Sequence, residues 1–406
     1  MKRTIFAGIL SLGLLAGSMI SPVAAQEEAP VQKKEWTFLI FLNADNNLDS
    51  FGVGDVEEME EVGSNDQFNM VVQLDRDHGK PCTRLFINKG SHDLLEDMGE
   101  CDMGSKDVLT DFVAWGAENY PAKKYAVVIW NHGSGWNKKA ANQVFKGISY
   151  DDSSGNHITT AQMGEAAKTM RETLGQKVDI LAFDACLMQM AEVAYVMKED
   201  INIMLASEDV EPGEGWAYND SMAPIAANPG MSAEEVATII VDTYDASYDG
   251  GSQGNRSTTQ SWVKADKTDA LVSALNEMSS QLAGNFIAET KEALDDVEKF
   301  YYRSNIDLIH FLELMSTGVA NSANERNKSE VLSTLANAKA AAEAFVGHSA
   351  AHGYANKDAK GIAVYFPRRG YSYSQKYNNL KWAKETLWDE LLQAYYEGSK
   401  TQEKDL

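Results

Sequence analysis

The feature that most constrains this chain is a series of short, continuously apolar runs, rich in β-branched and aromatic residues, that stop at polar or glycine-bearing turns. They are WTFLIFLNAD (36–45), NMVVQLDRD (69–77), YAVVIWNHGSG (125–135), VDILAFDAC (178–186), INIMLASED (201–209) and GIAVYFP (361–367). A strand with one wet face alternates apolar and polar residues; these runs do not, so they predict strands covered on both faces. Helical patterns lie between them at 105–118, 160–174 and 187–199, each beginning near Ser, Thr or Asp, with Thr159-Thr160 followed by Gln162 as one cap. Strands alternating with helices argue for an α/β domain, a mostly parallel sheet between helical layers. Ligand chemistry in such sheets gathers at the carboxyl ends of the strands, and these ends carry Asp45, Asp75, His132, Cys186 and Glu208-Asp209.

The rest of the chain divides by composition. Residues 1–25 combine Lys2 and Arg3, an apolar stretch from Ile5 to Ala16 and a small-residue end at Val23-Ala24-Ala25, which is the pattern of a secretory signal peptide cut near Ala25. A polar tail follows over 26–34, then the α/β core over 35–230. From 231 to 350 the sequence becomes rich in Ala, Glu, Lys, Leu and Met at helical spacing, read as a helical subdomain interrupted by the glycine loop DGGSQGNRST. Residues 351–398 bring a return strand and a closing helix at 380–396. No later segment has the length and apolarity of a membrane span, so the expected product is exported, secreted or periplasmic. Removing Lys2 and Arg3 takes the formal net charge from −24 to −26, which repels nucleic acid and anionic lipid and tolerates cationic peptides or divalent metal ions.

Three cysteines in an oxidising compartment cannot all pair within one chain. Cys82 and Cys101 flank a strand-like TRLFI and a polar return, which suits a local disulfide, and Cys186 is then the odd thiol. Cys186 lies between a strand and the apolar spacing Leu187, Met190, Ala194, Met197. If it opens a helix there, the helix N-terminus favours its thiolate; a packed core cysteine is the competing reading. The required base is best sought at His132, directly after the strongest buried run, rather than at His78 in a charged turn or His352 in a loop. If the strands ending at 130 and 184 are neighbours, His132 and Cys186 leave the same sheet edge as a Cys/His pair, with the N–H groups of Gly133 and Cys186 facing the developing oxyanion.

NHGSGW (131–136), FDACLM (183–188), SEDVEPGEGWAY (207–218) and GIAVYFP (361–367), in this order, resemble the clostripain family of cysteine peptidases, in the clan of caspases, legumains and gingipains. The resemblance covers most of the chain after residue 35. It implies a caspase-like three-layer α/β/α sandwich, a His132/Cys186 dyad, cleavage after arginine or lysine, and protein or peptide substrates carrying those residues. Asp184-Ala185-Cys186-Leu187 lacks the glutamine and following glycine of the caspase signature, which argues against cleavage after aspartate. Asp184 resembles the family's specificity acid; from the residues alone it is equally an N-cap for the expected helix. Asp209 and Trp216, within the acidic loop 208–214 and at its end, are the further pocket candidates. The family is similar in maturing by self-cleavage after a basic residue between base and nucleophile, which here points to Lys139-Ala140 or Lys146-Gly147. No cofactor is required by this reading. Calcium is admitted by the resemblance and by the acids near Asp151-Asp152 and 208–214, although no EF-hand spacing is present. Two other readings stand beside it: a peptidase of the same clan cutting after Asn or Asp, and a catalytically silent acidic binding protein on the same fold.

Overall fold

The computed structural model describes residues 33–77, 79–136 and 147–404. His78, Lys139, Lys146 and the leader expected over 1–25 lie outside the described residues. Residues Lys33–Leu406 form one compact unit. Its first strand already begins at Lys34, within the segment read as tail.

A nine-stranded sheet forms the centre. Its strands in chain order are β1 (Lys34–Ala44), β2 (Phe68–Arg76), β3 (Cys82–Asn88), β4 (Ser91–Gly99) and β5 (Ala122–Trp130), followed across a small hairpin of β6 (Ile148–Asp151) and β7 (Asn156–Ile158) by β8 (Val178–Asp184) and β9 (Ile201–Ala206). A second hairpin, β10 (Asp249–Gly251) with β11 (Gly254–Asn255), precedes β12 (Thr258–Lys264); β13 (Asn305–Asp307), β14 (Val346–His352) and β15 (Ala363–Tyr365) complete the set. The spatial order is β14-β12-β9-β8-β5-β1-β2-β3-β4. The middle of the sheet, β9-β8-β5-β1-β2, is parallel, and the flanking strands run antiparallel.

Successive residues of the inner strands feed opposite faces, as the pleat requires. Phe38, Ile40 and Leu42 of β1, with Val128 and Ala182, pack under α1 (Asp49–Val62), α5 (Tyr218–Ala227) and α6 (Ala233–Tyr248). Leu39, Phe41, Val127, Ile129 and Phe183 pack under α2 (Lys106–Asn119), α3 (Thr160–Leu174) and α4 (Ala191–Met197). The result is a mixed α/β sandwich of three layers, as the continuous apolar runs predict. Helix α3 carries the expected cap: Thr159 and Gln162 satisfy each other's backbone N–H groups.

The interval 231–350 is divided in a way that composition does not foretell. Helices α7 (Thr268–Leu282), α8 (Ile287–Asp296), α9 (Leu308–Asn321) and α10 (Lys328–Phe345) share the second face's core, but α6 covers the first face, and β12 and β14 extend the sheet. GIAVYFP supplies β15, which pairs with β13 outside the main sheet. The single closing helix expected over 380–396 is two, α11 (Lys381–Glu385) and α12 (Trp388–Lys404).

Candidate active site

The ladder between β5 and β8 fixes the site. These strands are parallel neighbours with Trp130 opposite Asp184, and the pairing continues as Asn131 N–H donates to Asp184 O at 3.2 Å. Two residues further along each chain, His132 and Cys186 therefore emerge level with one another, and both line a cleft of about 460 Å³. Asn131 anchors the histidine loop, because its side chain donates to the carbonyls of Asn43 (2.6 Å) and Tyr150 (3.1 Å) and accepts from Tyr150 N–H (2.7 Å). Gly133 packs so closely on the nucleophile turn that a Cβ there would lie 2.3 Å from Cys186 O.

His132 is oriented by a residue that the motifs do not identify. Its Nε2–H donates to Asn47 Oδ1 at 2.8 Å, which in a neutral ring leaves Nδ1 as the basic nitrogen. Asn47 comes from NADNN at the end of β1, and the only sequence signal for it is that cluster of polar residues closing an apolar strand.

Cys186 departs from the expected helix N-terminus. Leu187 has φ +66°, a left-handed conformation that stops a helix, and α4 begins only at Ala191 with Met190 as its N-cap. The intervening backbone bonds instead to the acidic loop: Leu187 N–H to Asp209 O (3.0 Å) and Gln189 N–H to Ser207 O (2.9 Å). The thiol is held by the same loop, accepting from Glu211 N–H at 3.3 Å and donating to Glu211 O at 3.9 Å. Burial, with the Glu211 charge beside it, pushes the thiol up to about 12. The expected helix N-terminus at Cys186 is thus absent, and burial here favours the thiol over the thiolate.

Asp184 is not a helix cap either. Its Oδ2 accepts from Tyr218 OH (3.0 Å) and Trp216 N–H (3.4 Å), it is hydrogen-bonded to the Glu211 carboxyl, and burial raises it to about 7. Glu211 is raised well above the usual carboxylate range by burial and by Asp184, and it also accepts from Gln260 Nε2 at 3.3 Å. Glu211, rather than the expected Asp209, is the loop acid brought against Asp184. Asp209 turns away and accepts from Tyr301 N–H at 2.8 Å. Glu208 accepts from Gly361 N–H (3.0 Å) and hydrogen-bonds to Asp307, while Glu214 meets Arg256 at 3.3 Å. Trp216 is buried beneath the pocket, 5.9 Å from the Tyr218 ring centre. Tyr301 and Tyr302 line the open side of the cleft, which sequence reasoning did not anticipate. Cys82 and Cys101 are free thiols hydrogen-bonded to each other, a contact that raises Cys82 and lowers Cys101. No helix among the described residues is long and apolar enough to cross a membrane.

The model of the clostripain family matches residues 40–395. Clostripain from Hathewaya histolytica is 29% identical over 236 residues, a match that covers 50% of this chain but only 44% of that relative's length. The fold is similar to a secreted C11 cysteine protease from Bacteroides thetaiotaomicron solved with an irreversible peptide inhibitor, at TM-score 0.65 and 20% identity over 89% of this chain and 99% of that one. An inactive zymogen C11 protease from Parabacteroides distasonis gives TM-score 0.64 and 19% identity over 87% and 99% of the two chains.

Proposed function

Because the chain belongs to the clostripain family of cysteine peptidases, we propose that it is an exported cysteine endopeptidase cutting after arginine or lysine, made as an inactive precursor. The observation that carries the reading is the level register of β5 and β8, which delivers His132 and Cys186 into one cleft. His132 takes the Cys186 proton and the sulfur attacks the peptide carbonyl. The N–H groups of Gly133 and Cys186 hold the oxyanion, and His132 returns the proton to the leaving amine. Water then hydrolyses the thioester. Asp184 and Glu211 form the floor that receives a guanidinium or ammonium group, since no basic side chain among the described residues pairs with these two buried carboxyls.

The neutral thiol clasped by Glu211 supports the precursor reading. Self-cleavage at Lys139-Ala140 or Lys146-Gly147 then requires the 208–214 loop to release the sulfur first, and the cut makes the released state permanent. Removal of residues 1–25 and joining of the adjacent Cys82 and Cys101 thiols accompany export.

A panel of peptide amides differing only in the residue before the cut tests the reading. Arginine and lysine substrates are expected to turn over, Cys186→Ala to abolish turnover, and Asp184→Asn to lower kcat/KM for the basic substrates by about 10²-fold. Preference for Asn or Asp would establish the related specificity instead. No labelling of Cys186 by a thiol-reactive arginyl peptide, with no turnover of any substrate, would favour a silent binding protein.

A further inference from the structure

On the strand-end side away from Cys186, Asp45, Asp75 and Glu100 bring one carboxylate oxygen each to within 4.8 Å of one another. Asp45 follows β1, Asp75 lies on the neighbouring β2 opposite Asn43, and Glu100 follows β4, so three separate segments converge there. Asp45 and Asp75 are 1% and 0% exposed, and Asp45 Oδ1 and Asp75 Oδ2 have no hydrogen-bond partner. Their other oxygens are engaged: Asp45 Oδ2 by Ser153 N–H at 2.9 Å, Asp75 Oδ1 by Arg76 N–H at 3.0 Å. Burying two carboxylates with orphaned oxygens is costly unless a cation completes them.

No basic side chain among the described residues supplies that charge. Arg76 is bidentate to Asp49 at 2.9 Å, and Arg84 is committed to Gln73 and Glu96. Asp151, close enough to add its field, spends its oxygens on Met103 N–H and Ser154 N–H.

We infer that Asp45, Asp75 and Glu100 are the protein ligands of a calcium ion. The donors are all hard oxygens, which disfavours zinc. Three carboxylates, each mono- or bidentate, leave room for water in the irregular seven- or eight-fold shell that calcium accepts and magnesium, held to a regular octahedron, does not. The acids singled out near Asp151-Asp152 and in the 208–214 loop are not the ligands. The site is coupled to the cleft through Asp45. Its carbonyl accepts from Asp152 N–H at 2.9 Å, and Asn46 and Asn47, next in sequence, hold Tyr150 and His132. Calcium there stiffens the segment that orients the base.

The test uses full-length Cys186→Ala, which cannot cut itself, stripped with chelator and titrated with calcium chloride alone, then with magnesium chloride. Expected are a rise in Tm of several degrees with calcium, a calorimetric stoichiometry of one, and a weaker response to magnesium. Glu100→Gln, at an exposed position, weakens calcium binding at least tenfold, and Asp75→Asn removes it. Glu292→Gln, in the separate acidic groove between α8 and α9, leaves it unchanged. A Tm that ignores calcium, an equal response to magnesium, or calcium binding retained in both ligand variants overturns the inference.

Discussion

Asp184 and Glu211 lie in hydrogen-bond contact behind the nucleophile, and burial raises Asp184 to about 7 and pushes Glu211 well above the usual carboxylate range. Near neutral pH such a pair retains at least one proton. Its folded value is raised above the unfolded 3.8, so its contribution to stability is fully present below that value and is lost as pH rises through about 7. Glu211→Gln replaces one of the two ionisable carboxyls by a neutral amide. The variant is expected to gain Tm over the parent between pH 5 and pH 8, with the gain growing as pH rises, read by thermal melts at fixed ionic strength. A difference that stays flat over that range would refute a shared proton. The thiol's surroundings are not legible in the apolar spacing: the helix begins only at Ala191, and the loop that holds the sulfur reaches it through Glu211, twenty-five residues away in sequence.

At the scale of elements, the site depends on how closely the loops after β5 and β8 approach. A Cβ at Gly133 would meet Cys186 O at 2.3 Å, a backbone atom with little freedom to retreat. Gly133→Ala is therefore expected to lower kcat by about 10²-fold through misplacement of base and nucleophile, while the protein still folds with a loss of about 1–3 kcal/mol. Steady-state kinetics normalised to Cys186 labelling, beside a denaturant titration, check both parts. The apolar runs made β1, β2, β5, β8 and β9 legible, and with them the strand ends that carry His132 and Cys186. Strand β12, TTQSWVK, was hidden because its buried residues are mostly polar. Thr259 bonds to Ser207 and Glu208, and Ser261 to the Gly361 carbonyl, so burial costs them little and leaves no hydrophobic signature. Strand β4 was hidden for the opposite reason: nearly all of SHDLLEDMG is exposed. The spacing Leu187, Met190, Ala194, Met197 was correctly read as buried, but the positive φ of Leu187 cannot be seen in a periodicity.

For the molecule as a whole, a cut between β5 and β6 divides the sequence without dividing the core. The amino-terminal piece would hold β1–β5 with α1 and α2, and the carboxyl-terminal piece the remainder; yet β5 and β8 are neighbours at the centre of the sheet. Both hydrophobic faces mix residues from the two pieces, and Asn131 and Tyr150, on opposite sides of the cut, exchange backbone-to-side-chain hydrogen bonds at 3.1 and 2.7 Å. Separating the pieces would expose the middle of the sheet on both faces, which no short polypeptide tolerates in water. Between the two candidate bonds the described side of the linker also discriminates. Gly147 is buried, donates to Ser134 Oγ at 3.1 Å, and sits where a Cβ would lie 1.9 Å from Ile158 O. A peptidase must bind several residues around its cut in extended form, so a cut just before the anchored Gly147 is the poorer choice and Lys139-Ala140 the expected one. Wild-type protein under reducing conditions should then give two bands in denaturing gels but one peak of undivided mass on gel filtration, with a new amino terminus at Ala140, whereas Cys186→Ala gives a single band. Pieces that part without denaturant would contradict the shared core, and a new terminus at Gly147 would contradict the choice of bond.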